Sequence, residues 1–157
     1  MNETGIKVDE ALAAWGIAFT ARYIGESKQW EGQTVDTFRV SIGAYETDYH
    51  MGFGNRKARP GVVRPKFYNP RCIAAAEWDA LHLKPVAPTA ASVLYCLLSD
   101  MEAIDQSFVD WADDLGYDTD SRKALAIYEA CCDTGRELRK VFTPTQRADL
   151  RGLLQDY

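Results

Sequence analysis

The chain has 157 residues, 46% of them hydrophobic, which suffices for one domain whose core needs neither disulfides nor metals. Its 18 basic and 23 acidic residues give a net charge of −5, which argues against a general nucleic-acid-binding protein, since such proteins neutralise phosphates with positive charge. No apolar run reaches the roughly 18 residues needed to cross a bilayer, and the first residues lack a signal-peptide pattern, so we expect a cytoplasmic protein that contacts no membrane.

The first third of the chain predicts a short helix followed by three antiparallel strands. Segment 8–15 suits a helix that begins at Asp9 and ends before Gly16. Apolar residues then alternate with period two in segments 17–25, 37–43 and 45–52, which is typical of strands with one buried face. Gly43 and Ala44 predict a hairpin turn between the last two strands, and 25–34 predicts a longer polar loop between the first two.

Residues 52–71 change character, because they contain three prolines, three glycines and little alternation. They predict a loop or an extended arm. A short helix is expected over 69–81, with Asn69 as its N-cap and Pro70 at its first position. Residues 84–88 then read as a proline-bounded linker.

From Thr89 to the end the pattern is helical. Thr89, Ser107 and Thr143 are expected to cap three of the helices, and Gly116 to end the second of these. Asp120 or Ser121 is expected to cap the longest helix. That helix has a predicted apolar stripe of Leu125, Tyr128, Cys132, Leu138 and Phe142, and the interior glycine Gly135 predicts close packing, since glycine is costly in a helix interior.

These elements predict an α+β fold in which an N-terminal three-stranded antiparallel sheet packs against a C-terminal bundle of about four helices. We expect a single domain over 1–157, divided into a helix and β-meander (8–52), a basic arm with a short helix (53–88) and a helical part (89–157). The sequence leaves the oligomeric state open.

Eight acidic residues and no Lys or Arg occur between Pro85 and Ser121. Helix capping and first-turn preferences account for Asp110, Asp118 and Asp120. They account less well for the others, and clustered like charge is also typical of a surface that docks on a basic partner. The carboxylates that we assign to such a partner-binding surface are Asp100, Asp105, Asp110, Asp113, Asp114 and Asp118.

The opposite charge is concentrated in 56–71, which carries six positive charges and leaves −11 for the rest of the chain. With Phe67 and Tyr68 interleaved, this arm could contact phosphates and stack on bases. Alternatively, its charges pair with the acidic helices of the protein itself. The candidate nucleic-acid-binding residues of the first interpretation are Arg56, Lys57, Arg59, Arg64 and Lys66.

The remaining patterns indicate no catalytic residue, cofactor or metal. Segment 118–129 has acidic residues at positions 1, 3 and 12 of a calcium loop, but Lys123 replaces the glycine that the loop requires. His50, His82 and the four cysteines lack the spacing of zinc ligands, and Cys131 and Cys132 are expected on different faces of their helix. Reduced thiols in the core are the better interpretation of the cysteines.

Three segments carry a family resemblance: YETDYHMGFG (45–54), PTAASVLYCLLSDMEA (88–103) and SFVDWADDLGYDTDSRKALAIYEACCDTGRELRKVF (107–142). Together they resemble a family of small proteins encoded by bacteriophages and prophages. In that family a β-hairpin ending in a His-Met-Gly-like segment precedes a Leu-Leu-Ser-Asp helix and a Phe-x-x-Trp…Gly-Tyr-Asp-x-Asp-Ser-Arg-Lys block. The basic arm and helix 69–81 look like an insertion between the hairpin and the Leu-Leu-Ser-Asp helix.

The resemblance implies a mobile-element origin and brings no enzymatic activity with it. Combined with the acidic residues, it leads us to expect an anti-defence protein of the anti-CRISPR kind, acting in the cytoplasm of the host cell. Such a protein would bind a host defence protein or ribonucleoprotein complex and block its nucleic-acid-binding surface. The alternative is a small nucleic-acid-binding accessory protein that uses residues 56–71.

Overall fold

The computed structural model describes residues 3–28, 34–51 and 87–157. The predicted basic arm, the predicted helix 69–81, Cys72 and His82 lie outside the described residues. The described elements, in chain order, are α1 (Glu3–Ala14), β1 (Phe19–Lys28), β2 (Thr34–Ile42), β3 (Tyr45–Met51), α2 (Ala90–Met101), a 3-10 helix (Glu102–Asp105), α3 (Phe108–Leu115), α4 (Arg122–Val141) and α5 (Pro144–Leu153).

The three strands form an antiparallel sheet in the order β1-β2-β3, as predicted. The inward residues of β2 pair with inward residues of both neighbours, because Val40 lies opposite Ala21 of β1 and Thr47 of β3. The opposite face is polar, and on it Arg39 of β2 donates to Asp48 of β3 at 2.7 Å. The hairpin turn at Gly43 and Ala44 is confirmed, and Gly43 adopts a positive φ of 59°.

Two boundaries in this first part were predicted wrongly. Helix α1 begins at Glu3, before the predicted start at Asp9, and an ion pair between Glu3 and Lys7 lies in its first turns. The loop predicted over 25–34 is shorter, because β1 and β2 continue to pair beyond an irregularity at Gly25, as far as Lys28 opposite Thr34. The irregularity hides the continuation of the strand, since it interrupts the period-two pattern.

The helix caps predicted from Thr89 onward are confirmed. The hydroxyls of Thr89, Ser107 and Ser121 accept hydrogen bonds from the backbone N–H groups three residues later, which satisfies donors that have no partner within the helix. Thr143 and Gln146 form a complete capping box at the start of α5. Gly116 ends α3 in the left-handed conformation, with φ of 77°.

The described apolar side chains form two clusters. The larger, which we call the main core, joins the inner face of the sheet to α1, α2, the C-terminal part of α4 and α5, and includes Phe38, Val40, Leu94, Leu138 and Phe142. The smaller, which we call the aromatic cluster, lies between the 3-10 helix, α3 and the N-terminal part of α4. It contains Ala103, Trp111, Ala112, Cys131 and Cys132, with Ile104, Phe108, Leu115, Tyr117, Ile127 and Tyr128 packed around them.

Helix α4 departs from its predicted stripe at two places. Leu125 is 40% exposed, and Ala124 is the buried residue of that turn. Cys131 and Cys132 were expected on different faces, but both are buried in the aromatic cluster. Both can be buried because α4 contacts α3 and the 3-10 helix at once.

The close packing predicted at Gly135 is confirmed. A Cβ atom at this position would lie 2.9 Å from Cγ1 of Ile104 and 3.1 Å from Cβ of Met101. These distances are shorter than van der Waals contact, so only glycine lets α4 approach the end of α2 and the 3-10 helix this closely.

Candidate protein-binding surface

Helix α3 is short, and it is held in place by a stack of aromatic rings. The Trp111 ring lies 5.3 Å from that of Tyr117, with their planes 9° apart, and the Tyr128 ring meets Trp111 edge-on at 5.4 Å. Phe108 lies 6.2 Å from Trp111 and packs edge-on against Tyr128. Such pairs contribute about 0.5–1.5 kcal/mol each beyond the area that they bury, so an eight-residue helix is fixed although it could not be stable alone.

Tyr128 also joins this cluster to the backbone before α3. Its hydroxyl donates to the carbonyl oxygen of Gln106 at 2.6 Å. Burial of the phenol raises the pKa of Tyr128, and its hydrogen bond with the Cys132 thiol raises it further, because both favour the neutral form. The neutral phenol can therefore continue to donate to Gln106 at any pH below the ordinary range of tyrosine ionisation.

Exposed carboxylates lie on α3 and on the segments that flank it. We call Asp105, Asp110, Asp113, Asp114 and Asp118 the acidic surface. They belong to the 3-10 helix, to α3 and to the loop that follows it, and all five are exposed. These five were predicted as partner-binding residues, and the aromatic cluster lies directly beneath the elements that carry them.

Asp100, the sixth predicted partner-binding residue, differs from the other five. It lies in the last turn of α2 and is only 6% exposed. Its spacing from the buried residues Cys96 and Leu97 places it on the core-facing side of that helix. Asp100 is therefore not one of the exposed carboxylates, although it lines the cleft described below.

The carboxylates of the acidic surface differ in what they contact. Asp105 forms an ion pair with Arg139 of α4 at 3.2 Å, Asp114 accepts from the Gln106 amide at 2.8 Å, and Asp118 accepts from the backbone N–H of Asp120. Within residues 3–28, 34–51 and 87–157, neither the Asp110 nor the Asp113 carboxylate has a hydrogen bond or ion pair. The alternative prediction, in which the charges of residues 56–71 pair with the acidic helices, concerns a segment outside the described residues.

A cleft of about 510 Å³ adjoins this surface. It lies where the end of α2, the 3-10 helix, α3 and α5 meet. A smaller depression of about 230 Å³ adjoins it and shares Ser99, Glu102 and Arg151 with it. The cleft is lined by apolar, acidic and amide side chains together with one guanidinium. Sequence reasoning missed it, because Arg151 is distant in sequence from the other lining residues and no local pattern links the two segments.

The described residues show no metal centre, disulfide or membrane-spanning helix. No group of three or more His, Cys, Asp or Glu side chains in this part of the chain is arranged to hold a metal ion. Cys96, Cys131 and Cys132 are buried and take part in no disulfide among the same residues, which agrees with the prediction of core thiols. None of the described helices is both long and apolar enough to cross a membrane.

Comparisons with family models, with curated proteins and with solved structures found no match for the chain.

Proposed function

We propose that this protein is a bacteriophage-encoded anti-defence protein that binds a host nucleic-acid-binding complex and covers the surface on which nucleic acid would lie. The acidic surface is the part that makes this contact. Its partner is a protein surface rich in arginine and lysine, of the kind that binds phosphates.

The observation that carries this proposal is the placement of five exposed carboxylates on one short helix and its flanking turns. A duplex presents one negative charge per about 1.7 Å of helix axis, and five exposed carboxylates within residues 105–118 likewise offer negative charge to a basic groove. Asp110 and Asp113 support the proposal most directly, because their carboxylates form no hydrogen bond or ion pair with another described residue.

The aromatic cluster also favours a binding function. An interface gains affinity when its contacting groups are held in place before binding, since less conformational freedom is then lost. Trp111, Tyr117 and Tyr128 hold α3 in that way.

The test uses purified RNA-guided defence complexes and a labelled target duplex in a mobility-shift competition. We expect the protein to reduce target binding, and the double variant Asp113→Lys, Asp114→Lys to require at least tenfold more protein for the same reduction. The matched control is Asp9→Lys, Asp149→Lys, which changes the net charge equally at two exposed positions on α1 and α5. Equal potency of the two double variants, or target binding that the protein never reduces, would contradict the proposal.

The alternative is direct nucleic-acid binding through the arm at 56–71. The same assay distinguishes it, because the labelled duplex is then also tested with the protein alone. The protein alone would then shift the duplex at low salt, and the shift would weaken steeply as salt is raised. Replacement of Arg56, Lys57 and Arg59 by alanine would abolish it.

A further inference from the structure

We propose that the cleft beside the acidic surface receives an arginine side chain of the partner protein. This inference rests on the proposed function and adds a specific contact to it. In this arrangement the guanidinium pairs with Asp114 at the rim, and the aliphatic stem lies along Leu115 and Trp111.

The lining of the cleft suits one long cationic side chain. Its volume of about 510 Å³ is within the range of about 300–1,000 Å³ that is usual for ligand-binding sites. Ala103, Trp111 and Leu115 provide an apolar wall, and Asp100, Glu102, Asp105 and Asp114 provide the carboxylates. An arginine has both parts, because its stem packs on apolar surface while its head stays polar.

The charge of the cleft is complementary to a cation. Four carboxylates line it against a single guanidinium, that of Arg151. Asp105 already has a cationic partner, since it pairs with Arg139. Glu102 and Asp114 have no ion pair among the described residues, so a second guanidinium would find carboxylates available to it.

Asp114 accepts a hydrogen bond from the side chain of Gln106, a residue whose backbone is held by the aromatic cluster. Tyr128 donates to the Gln106 carbonyl at 2.6 Å, and the Gln106 amide donates to one oxygen of Asp114 at 2.8 Å. The Asp114 carboxylate is therefore oriented before any ligand arrives, which reduces the entropy lost on binding. Its geometry favours the planar fork of arginine over the point charge of lysine, because a fixed carboxylate can accept two parallel hydrogen bonds.

Asp113 is the matched control for Asp114. It is the preceding residue, on the same helix, with the same charge and also exposed, but it does not line the cleft. Long-range attraction to a basic partner treats the two carboxylates alike, whereas an arginine seated in the cleft distinguishes between them.

The first experiment titrates the full chain with Nα-acetyl-arginine amide and follows amide and indole NMR shifts. We expect a saturable response at Trp111, Leu115 and Asp114, weakened about tenfold in Asp114→Asn and changed less than twofold in Asp113→Asn. The lysine analogue should bind at least fivefold more weakly. Equal effects of the two substitutions, equal binding of the two analogues, or shifts spread over the surface without saturation would each overturn the proposal.

The second experiment separates this proposal from the proposed function. In the competition assay with defence complexes, Asp114→Asn should reduce potency several-fold more than Asp113→Asn. If both substitutions reduce potency equally, the acidic surface makes the contact but the cleft receives no arginine. If the protein never competes while the arginine analogue still binds the cleft selectively, the proposed function fails and the cleft stands as an arginine site.

Discussion

The main core and the aromatic cluster stabilise the fold in different ways. The main core collects side chains from the sheet and from four helices that are distant in sequence, and aliphatic residues such as Val40, Leu94 and Leu138 predominate in it. The aromatic cluster is built within residues 103–132, from rings, thiols and small side chains. The main core therefore connects most of the described elements, whereas the aromatic cluster supports only the segment that carries the acidic surface.

We predict that α3 and its flanking segments can open while the main core stays folded. Stability is distributed unevenly in proteins, and units with few long-range contacts open first. The elements that carry the acidic surface depend on a small number of rings, whereas the sheet is covered by several helices.

The largest expected effect is that of Trp111→Ala, because removal of a buried ring costs about 3–5 kcal/mol. We expect the amide hydrogens of α3 to lose most of their exchange protection while those of β2 retain theirs. The matched variant is Phe142→Ala in the main core, where the ring is only 1% exposed, and it should lower protection in both regions. Equal loss of protection in α3 and β2 for Trp111→Ala would show that the two clusters unfold as one unit.

A smaller effect is expected where the two clusters meet. Gly135→Val places a branched side chain against Ile104 and Met101, and overpacking of this kind typically costs about 1–3 kcal/mol. Gly152→Ala in α5 is the control, because a Cβ there meets nothing within 4 Å. It should raise the free energy of unfolding by as much as about 1 kcal/mol through helix propensity. Urea denaturation of both variants measures the difference, and a neutral Gly135→Val would contradict the close packing.

The smallest effect concerns pH. Tyr128→Phe removes the hydrogen bond to Gln106 and should cost about 1 kcal/mol at pH 7. Because the pKa of Tyr128 is raised in the folded protein, the unfolded chain loses this proton first as the pH rises through 10. The wild-type protein then loses stability with pH, since its folded state holds more protons than its unfolded state.

The Phe variant lacks that group, so the difference between the two free energies of unfolding should narrow above pH 10 and stay constant below pH 9. Thermal unfolding at a series of pH values measures it. A difference that widens above pH 10 would show that Tyr128 ionises more readily in the folded protein.

Local patterns in the sequence predicted most of the fold. The alternation around Val40 and the caps at Thr89 and Ser121 are each decided by neighbouring residues. The candidate site was predicted only in part. The exposure of Asp113 follows from its place on the polar side of α3. The cleft, in contrast, is lined by Asp114 of α3 and Arg151 of α5, and local sequence patterns do not predict that these two helices lie side by side.

The burial of Asp100 could also have been predicted. Its spacing from Leu97 indicated the buried side of α2, yet its charge favoured assignment to the surface. Periodicity was the better guide, because the position of a residue on a helix is fixed by the backbone before its side chain finds a partner.

The absence of a side chain at Gly135 also affects how α4 is positioned relative to the acidic surface. Helix α4 has 20 residues and is therefore about 30 Å long, and it belongs to both clusters. At Gly135 its backbone packs closely against the side chains of Ile104 and Met101, at the start of the segment that leads into the acidic surface. Close packing at this one position therefore couples the position of the 3-10 helix, which carries Asp105, to the main-chain axis of α4.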